Sequence, residues 1–135
     1  MKAGQIAKAF EINVNTVRHY VRMELLRPRK DESGYHQFGD EECRRLRFIL
    51  SARELGFTLD DIAQLLSAAE DGASPCPQAR DLIEQRLNDA RAKLASLQAL
   101  VQRMEATTQQ WRSLPDCQPC GEHICHLIEG VHHEA

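Results

Sequence analysis

Aromatic side chains are scarce: one Trp, two Tyr and four Phe make up 5% of the 135 residues. A large single core built on aromatic packing is therefore not expected. No apolar run approaches the roughly 18 residues that span a bilayer, so no transmembrane helix is expected. The opening residues Met1-Lys2-Ala3-Gly4-Gln5 lack the apolar stretch of a secretion signal, and the chain is expected to stay in the cytoplasm. Catalytic signatures are missing as well. There is no Ser-His-Asp arrangement and no phosphate-binding glycine loop. The one C-x-x-C pair has no βαβ pattern around it, as a thioredoxin-type oxidoreductase would require. An enzyme is not expected.

What is present is a folded-protein composition, 42% hydrophobic and 27% charged. At 15.4 kDa this allows one compact domain, or a small module with an oligomerisation arm. The net charge of -3 by itself argues against nucleic acid, but it is unevenly spread. Residues 1–57 hold eleven Lys/Arg against eight Asp/Glu, a net +3; residues 58–135 hold six against twelve, a net -6. Seven basic and two acidic side chains fall in the first thirty residues. A positive head on an acidic body suits a protein whose one end meets a polyanion.

Ile6, Ala7 and Phe10 lie at helical spacing, which predicts a short helix over Gly4 to Phe10. Asn13 and Asn15 interrupt it, and Asn15 is the expected cap of a second helix, Thr16 to Met23. Two short helices joined by a tight turn make a helix-turn-helix. The second carries Arg18, His19, Tyr20 and Arg22, donors able to reach phosphates and base edges; the plainer reading is a surface helix with ordinary charges. From Arg27 to Phe38 the chain reads as strand, turn, strand about Ser33-Gly34, a wing in which Tyr35 and Phe38 bury or stack. Asp40 is the expected cap of a helix to about Leu55, with Leu46, Ile49, Leu50 and Ala52 on its buried face. After Gly56, Thr58 caps a further helix that buries Ile62, Leu65 and Leu66. Glu70 to Pro77 reads as a loop.

From about Gln78 to Arg112 the pattern changes. Ile83, Leu87, Ala90, Leu94, Leu97, Val101, Met104, Thr108 and Trp111 alternate by four and three, a heptad seam. A helix of this length needs a partner, and no second stretch in the chain is long enough to supply one. A second copy in a twofold dimer is the economical solution. Heptads alone leave parallel and antiparallel pairing open. Pro115 is expected to end the helix. The residues after it read as a loop followed by two helical turns, with Ile124, Leu127 and Ile128 as an apolar face. The tail Val131-His132-His133-Glu134-Ala135 is expected to fray.

Five cysteines, Cys43, Cys76, Cys117, Cys120 and Cys125, are an odd number for a disulfide framework. Three lie within nine residues, beside His123 and His126. Thiolates and imidazoles crowded in this way are the ligand set of a soft or borderline metal. Cys43, on the expected third helix, reads as a small packing residue.

In order, these elements resemble the mercury-resistance regulator (MerR) family of bacterial transcription factors. The resemblance is carried by Thr16-Val17-Arg18-His19-Tyr20, by Leu25-Leu26-Arg27-Pro28, by Gly34-Tyr35, and by the run from Leu46 through Ala52-Arg53-Glu54-Leu55-Gly56-Phe57-Thr58 to Ile62. Three positions depart from the family pattern. His19 stands where an aromatic is usual, Val21 where Glu is usual and His36 where Arg is usual; these bear on phosphate contact rather than on fold. The resemblance implies a mainly α protein: a winged helix-turn-helix head over 1–70, a dimerisation helix over 76–112 forming a long antiparallel coiled coil, and a metal-binding loop with a short helix over 113–135. It implies double-stranded promoter DNA and RNA polymerase as partners of a homodimer, activating metal-resistance or efflux genes. It further implies a promoter whose spacer is too long, which the effector-bound dimer would deform so that polymerase can use it. Thr16, Arg18, His19, Tyr20, Arg22, Tyr35 and His36 are the implied DNA contacts.

Cys117 and Cys125 flank seven residues, which resembles the family's metal loop. Cys76 stands where its divalent-metal sensors carry a cysteine given by the other subunit. Three thiolates with imidazoles suit a divalent d10 ion. Cys120, His123 and His126 would complete the shell or hold a second ion. Zinc is the expected ion, ahead of cadmium or lead, with mercury after them. The alternative is a thiol-redox sensor of the same fold, since Cys117-Gln118-Pro119-Cys120 is a C-x-x-C.

Overall fold

The computed structural model describes residues 1–130. The tail expected to fray, with His132 and His133, lies outside the described residues. The chain separates into two units, Met1–Asn88 and the part from Asp89 onward. The element order is α1 (Ala3–Ala9), α2 (Val14–Arg22), β1 (Arg29–Lys30), β2 (His36–Gln37), α3 (Asp40–Glu54), α4 (Leu59–Glu70), α5 (Cys76–Arg112) and α6 (His126–Glu129). The mainly helical fold expected from the sequence is what forms.

The first unit is built around one apolar cluster. Ile6 and Ala7 enter from α1, Val17 and Tyr20 from α2, Leu46, Ile49 and Ala52 from α3, Ile62, Leu65 and Leu66 from α4, and Leu82 from α5. Leu25, Leu26, Phe38 and Phe57 fill it from the connections. These spacings are the three-and-four repeats that place side chains on one helical face.

Between α1 and α2 the chain turns on Glu11, whose φ is +57°. A side chain in this left-handed region is uncommon; here the Ile12 amide bonds back to the Ala7 carbonyl at 2.9 Å. Glu24 (φ +61°) does the same after α2, with the Leu25 amide on the Tyr20 carbonyl at 2.9 Å. The cap of α2 is Asn13, not Asn15: Asn13 Oδ1 accepts from the Asn15 amide at 2.7 Å. The helix therefore starts two residues earlier, because Asn13 takes the extended backbone that a cap requires. Asp40 likewise is not a cap but the first residue of α3. Gly39 precedes it, and the Gly39 amide donates to Glu42 Oε2 at 2.9 Å.

Thr58 caps α4 as expected. Its Oγ1 accepts from the Asp61 amide at 3.0 Å, and Asp61 Oδ2 accepts from the Thr58 amide at 2.9 Å, a reciprocal pair that satisfies two end donors. Asp61 is only 3% exposed, and its charge is met by Arg86 Nε of α5 at 2.9 Å. At the other end of α4, Glu70 Oε1 receives Arg45 at 2.7 Å and Arg27 at 3.1 Å. Arg45 Nε also donates to the Leu25 carbonyl at 2.8 Å. One carboxylate thus ties α4 to α3 and to the connection leading into the wing.

Two boundaries differ from expectation. The loop after α4 ends at Pro75, and Cys76 is the first residue of α5; its amide meets Ser74 Oγ at 3.3 Å. Proline is tolerated in a first turn, where no intrahelical partner exists for its nitrogen, so Pro77 does not extend the loop. The C-terminal helix is a single turn, α6, rather than two. Ile124 and Ile128 stay 81% and 74% exposed, so the apolar face expected there is not buried within the chain. Gly130, at φ +72°, stops the turn.

Thr58→Ala is expected to cost about 1 kcal/mol, the usual worth of an N-cap oxygen. Asp61→Ala is expected to cost more, about 3 kcal/mol, since it removes both the reciprocal cap bond and the buried half of the Asp61–Arg86 ion pair. Urea unfolding of the two variants checks this; an equal or reversed order overturns the role given to Asp61.

Candidate functional site

Two separate groups of side chains carry chemistry, one in each unit. In the head, α2 turns Arg18, His19 and Arg22 outward and Val17 and Tyr20 inward. Of the expected contact residues on this helix, Tyr20 belongs to the core, 6% exposed. Its ring therefore supports the helix from beneath, and Thr16 is half-buried. Arg18 is steadied by Asn15 Oδ1 at 3.4 Å.

The wing is the hairpin β1–β2, antiparallel, with Arg29 opposite Gln37 and Lys30 opposite His36. Its turn is organised by Asp31. Oδ1 accepts from the Ser33 and Tyr35 amides at 2.9 and 3.0 Å, and Oδ2 from Gln37 Nε2 at 3.0 Å. Gly34 takes φ +84°, open to glycine without cost. The Gln37 amide, then the Tyr35 amide, hold the Asp31 carboxyl below its ordinary value of 3.8. The result sends Tyr35 outward, 61% exposed, while Phe38 is buried at 2%. His36 is half-buried and stands edge-on to Phe38, with ring centroids 6.3 Å apart. Lys2, which nothing in the sequence pattern marks, lies with Nζ 5.0 Å from the Tyr35 ring centroid. The organising role of Asp31 was also missed, although an Asp three residues before a turn Gly is a readable signal.

In the second unit the loop after α5 is held by polar contacts. Glu129 Oε2 accepts from the Ile124 and Cys125 amides at 2.8 and 2.7 Å. His126 Nε2 donates to the Pro115 carbonyl at 2.9 Å. The Cys120 amide donates to the His123 carbonyl at 3.0 Å. His123 and His126 are buried, 8% and 4% exposed, with ring centroids 6.2 Å apart. Cys117 and Cys120 are exposed and Cys125 half-buried, all as free thiols. Cys76, in the first unit, is exposed and free; Cys43 is half-buried against the head's core. Among the described residues, no three of His, Cys, Asp or Glu stand together as a metal cluster within the single chain. Within the second unit the fold thus gathers the His123–His126 pair and the backbone around Cys120 and Cys125.

Comparison with known proteins gives a consistent result. A family model described as MerR HTH family regulatory protein matches residues 1–69, and one described as MerR, DNA binding, matches residues 43–107. A mercuric resistance operon regulatory protein of Pseudomonas fluorescens is 43% identical over 108 residues, 79% of this chain and 71% of that protein. The HTH-type transcriptional regulator ZntR of Escherichia coli is 31% identical over 101 residues, 73% of this chain and 72% of its own. The crystal structure of a transcription regulator from Ralstonia metallidurans in complex with lead(II) is similar with a TM-score of 0.72 and 26% identity, covering 97% of this chain and 98% of that one.

The lowered Asp31 carboxyl makes the wing acid-sensitive. A carboxyl depressed in the folded state stabilises at pH above its unfolded value, and that contribution is lost as pH falls through the folded one. The loss is therefore expected below pH 3.8. Gln37→Ala removes the largest cause and should return the Asp31 value toward 3.8. Carboxyl-carbon NMR titration reads it; no change in Gln37→Ala overturns the assignment.

Proposed function

The chain belongs to the MerR family of regulatory proteins, and from that premise we propose that it is a metal-responsive transcriptional regulator that acts on double-stranded promoter DNA as a homodimer, with RNA polymerase. The observation that carries the reading is the union in one chain of a winged helix-turn-helix with a loop holding three free thiols and two buried imidazoles. Mercury and lead appear in the names of relatives, which supports a metal as effector without choosing the ion.

The donor set fits a divalent soft or borderline ion by its chemistry. Cys117, Cys120, His123, Cys125 and His126 fall within ten residues. Two thiolates alone suit a linear monovalent ion, whereas a third with imidazole suits a tetrahedral dication. Cys117 and Cys125 would hold it with Cys76 of a second copy; Cys120, His123 and His126 are the further donors. When bound, the ion supplies bonds that join two chains. The imidazoles favour zinc, then cadmium or lead, then mercury.

The remaining parts act through this chain's own residues. Arg18 and Arg22 face outward beside His19, and Tyr35 and His36 extend the same face from the wing; Thr16 lies at its margin. Phosphate contacts from such donors position the head, and base contacts specify. The seam of α5 offers Leu87, Leu94, Leu97, Val101 and Met104, between 44% and 58% exposed in the single chain, as the surface that a second copy covers. A metal bridge across that pair would link ion capture to the relation of two DNA heads, a coupling free energy between distinct sites.

Three measurements test the reading. Leu94→Lys with Leu97→Lys should convert a dimer to a monomer in sedimentation equilibrium, since each buried Leu is worth roughly 1.5–3 kcal/mol; a parent chain that sediments as a monomer removes the seam's role. Cys76→Ser should weaken zinc binding at least about tenfold, comparable to losses from disturbing a metal shell, and leave DNA binding intact. Unchanged zinc affinity in that variant removes the shared site. Protection of three thiols per chain by one equivalent of zinc separates a metal sensor from a redox sensor, in which metal leaves the thiols reactive.

A further inference from the structure

A cleft of about 330 Å³ lies in the head where the start of α1, the outer face of α2 and the wing meet. Lys2 and Gly4 border it from α1, Arg18 from α2, and Gly34, Tyr35 and His36 from the wing. Its charged side chains, Lys2 and Arg18, are both basic. The Asp31 carboxylate, which feels the Lys2 charge, is engaged by the Gln37 side chain and by the Ser33 and Tyr35 amides. It does not line the cleft, and its single charge offsets only part of the two fixed positive charges of Lys2 and Arg18.

Lys2 stands apart from the helix-turn-helix in sequence, yet its ammonium lies 5.0 Å from the centroid of the Tyr35 ring. A cation over an aromatic face is attracted to the ring quadrupole, by about 0.5–1 kcal/mol at exposed sites. That contact keeps the charge at the mouth of the cleft while leaving its N–H donors unspent, because a ring face accepts no full hydrogen bond. Arg18 lines the same cleft from α2, with one nitrogen on Asn15 and further N–H donors on its fork. Glycines at positions 4 and 34 have nothing within 4 Å of where a Cβ would sit, so the rim is clear for a bulky oxyanion.

We propose that Lys2, together with Arg18 of the same cleft, seats a backbone phosphate of duplex DNA, with Tyr35 as the platform that positions the Lys2 ammonium. This rests on the DNA-binding reading above and adds to it a contact residue from outside the helix-turn-helix and the wing. Lys2 contributes a sequence-independent charge contact, so it strengthens binding to every duplex alike.

The test is the salt dependence of binding to a mixed-sequence DNA duplex by fluorescence anisotropy, using the whole chain. Each phosphate neutralised adds about 0.9 to the magnitude of the slope of log K against log salt. Lys2→Met keeps the apolar stem and removes the charge. It should reduce that magnitude by about 0.9 per chain bound, while Lys2→Arg keeps it. Tyr35→Leu should weaken binding with a smaller change of slope. A lower affinity in Lys2→Met at an unchanged slope would show that Lys2 acts only by supporting the wing, and overturns the proposal. If instead the parent chain binds no duplex, the DNA reading itself fails and this inference with it. Circular dichroism melting confirms that the variant is folded, as expected for an exposed residue.

Discussion

A buried carboxylate cannot stand without partners, and the architecture of the head follows from how Asp61 meets that demand. Its oxygens take the Thr58 amide and the Arg86 guanidinium. The first bond closes the start of α4; the second fixes the opening turns of α5 against it. Cys76 lies at the beginning of those turns, so its place relative to the head is set by an ion pair ten residues further along the helix. At the far end of α4, Glu70 binds Arg45 and Arg27. Both ends of one helix are thus pinned by charge, and its middle by Ile62, Leu65 and Leu66 in the core.

The two units are stabilised by different physics. The head buries a continuous apolar cluster drawn from five helices and their connections, which makes it a rigid support for charges on α2 and the wing. The loop beyond α5 has almost no apolar burial: Ile124 and Ile128 face solvent. Its conformation rests on a few polar bonds, chiefly the grip of Glu129 on the Ile124 and Cys125 amides. Regions of low contact density are drawn from the less stable end of a structure, where ligand binding does the ordering. A donor-rich loop of that kind suits capture better than framework.

The exposed seam of α5 joins the two themes. Five large apolar residues at heptad spacing remain open to solvent in the single chain, the surface that the proposed second copy would cover. In a dimer the same burial would set the spacing of two heads. The loop chemistry of one chain would also come within reach of the other.

Much of this was legible in the amino-acid order. The helices, the hairpin turn at Ser33-Gly34, the Thr58 cap and the heptads follow from short-range rules of periodicity, capping and glycine geometry. The crowding of thiols with imidazoles also needs no fold to be seen. What the order could not reveal depends on partners distant in the chain. Tyr20 is core because α2 packs against α1 and turns it into the head's apolar cluster, and Ile124, ahead of the single turn α6, stays exposed. Lys2 meets Tyr35 only when α1 is packed beside the wing. Local residue type determined which elements form and which chemistry they carry. Only the packed chain decided which charges face a common cleft, because that depends on contacts between residues more than thirty positions apart.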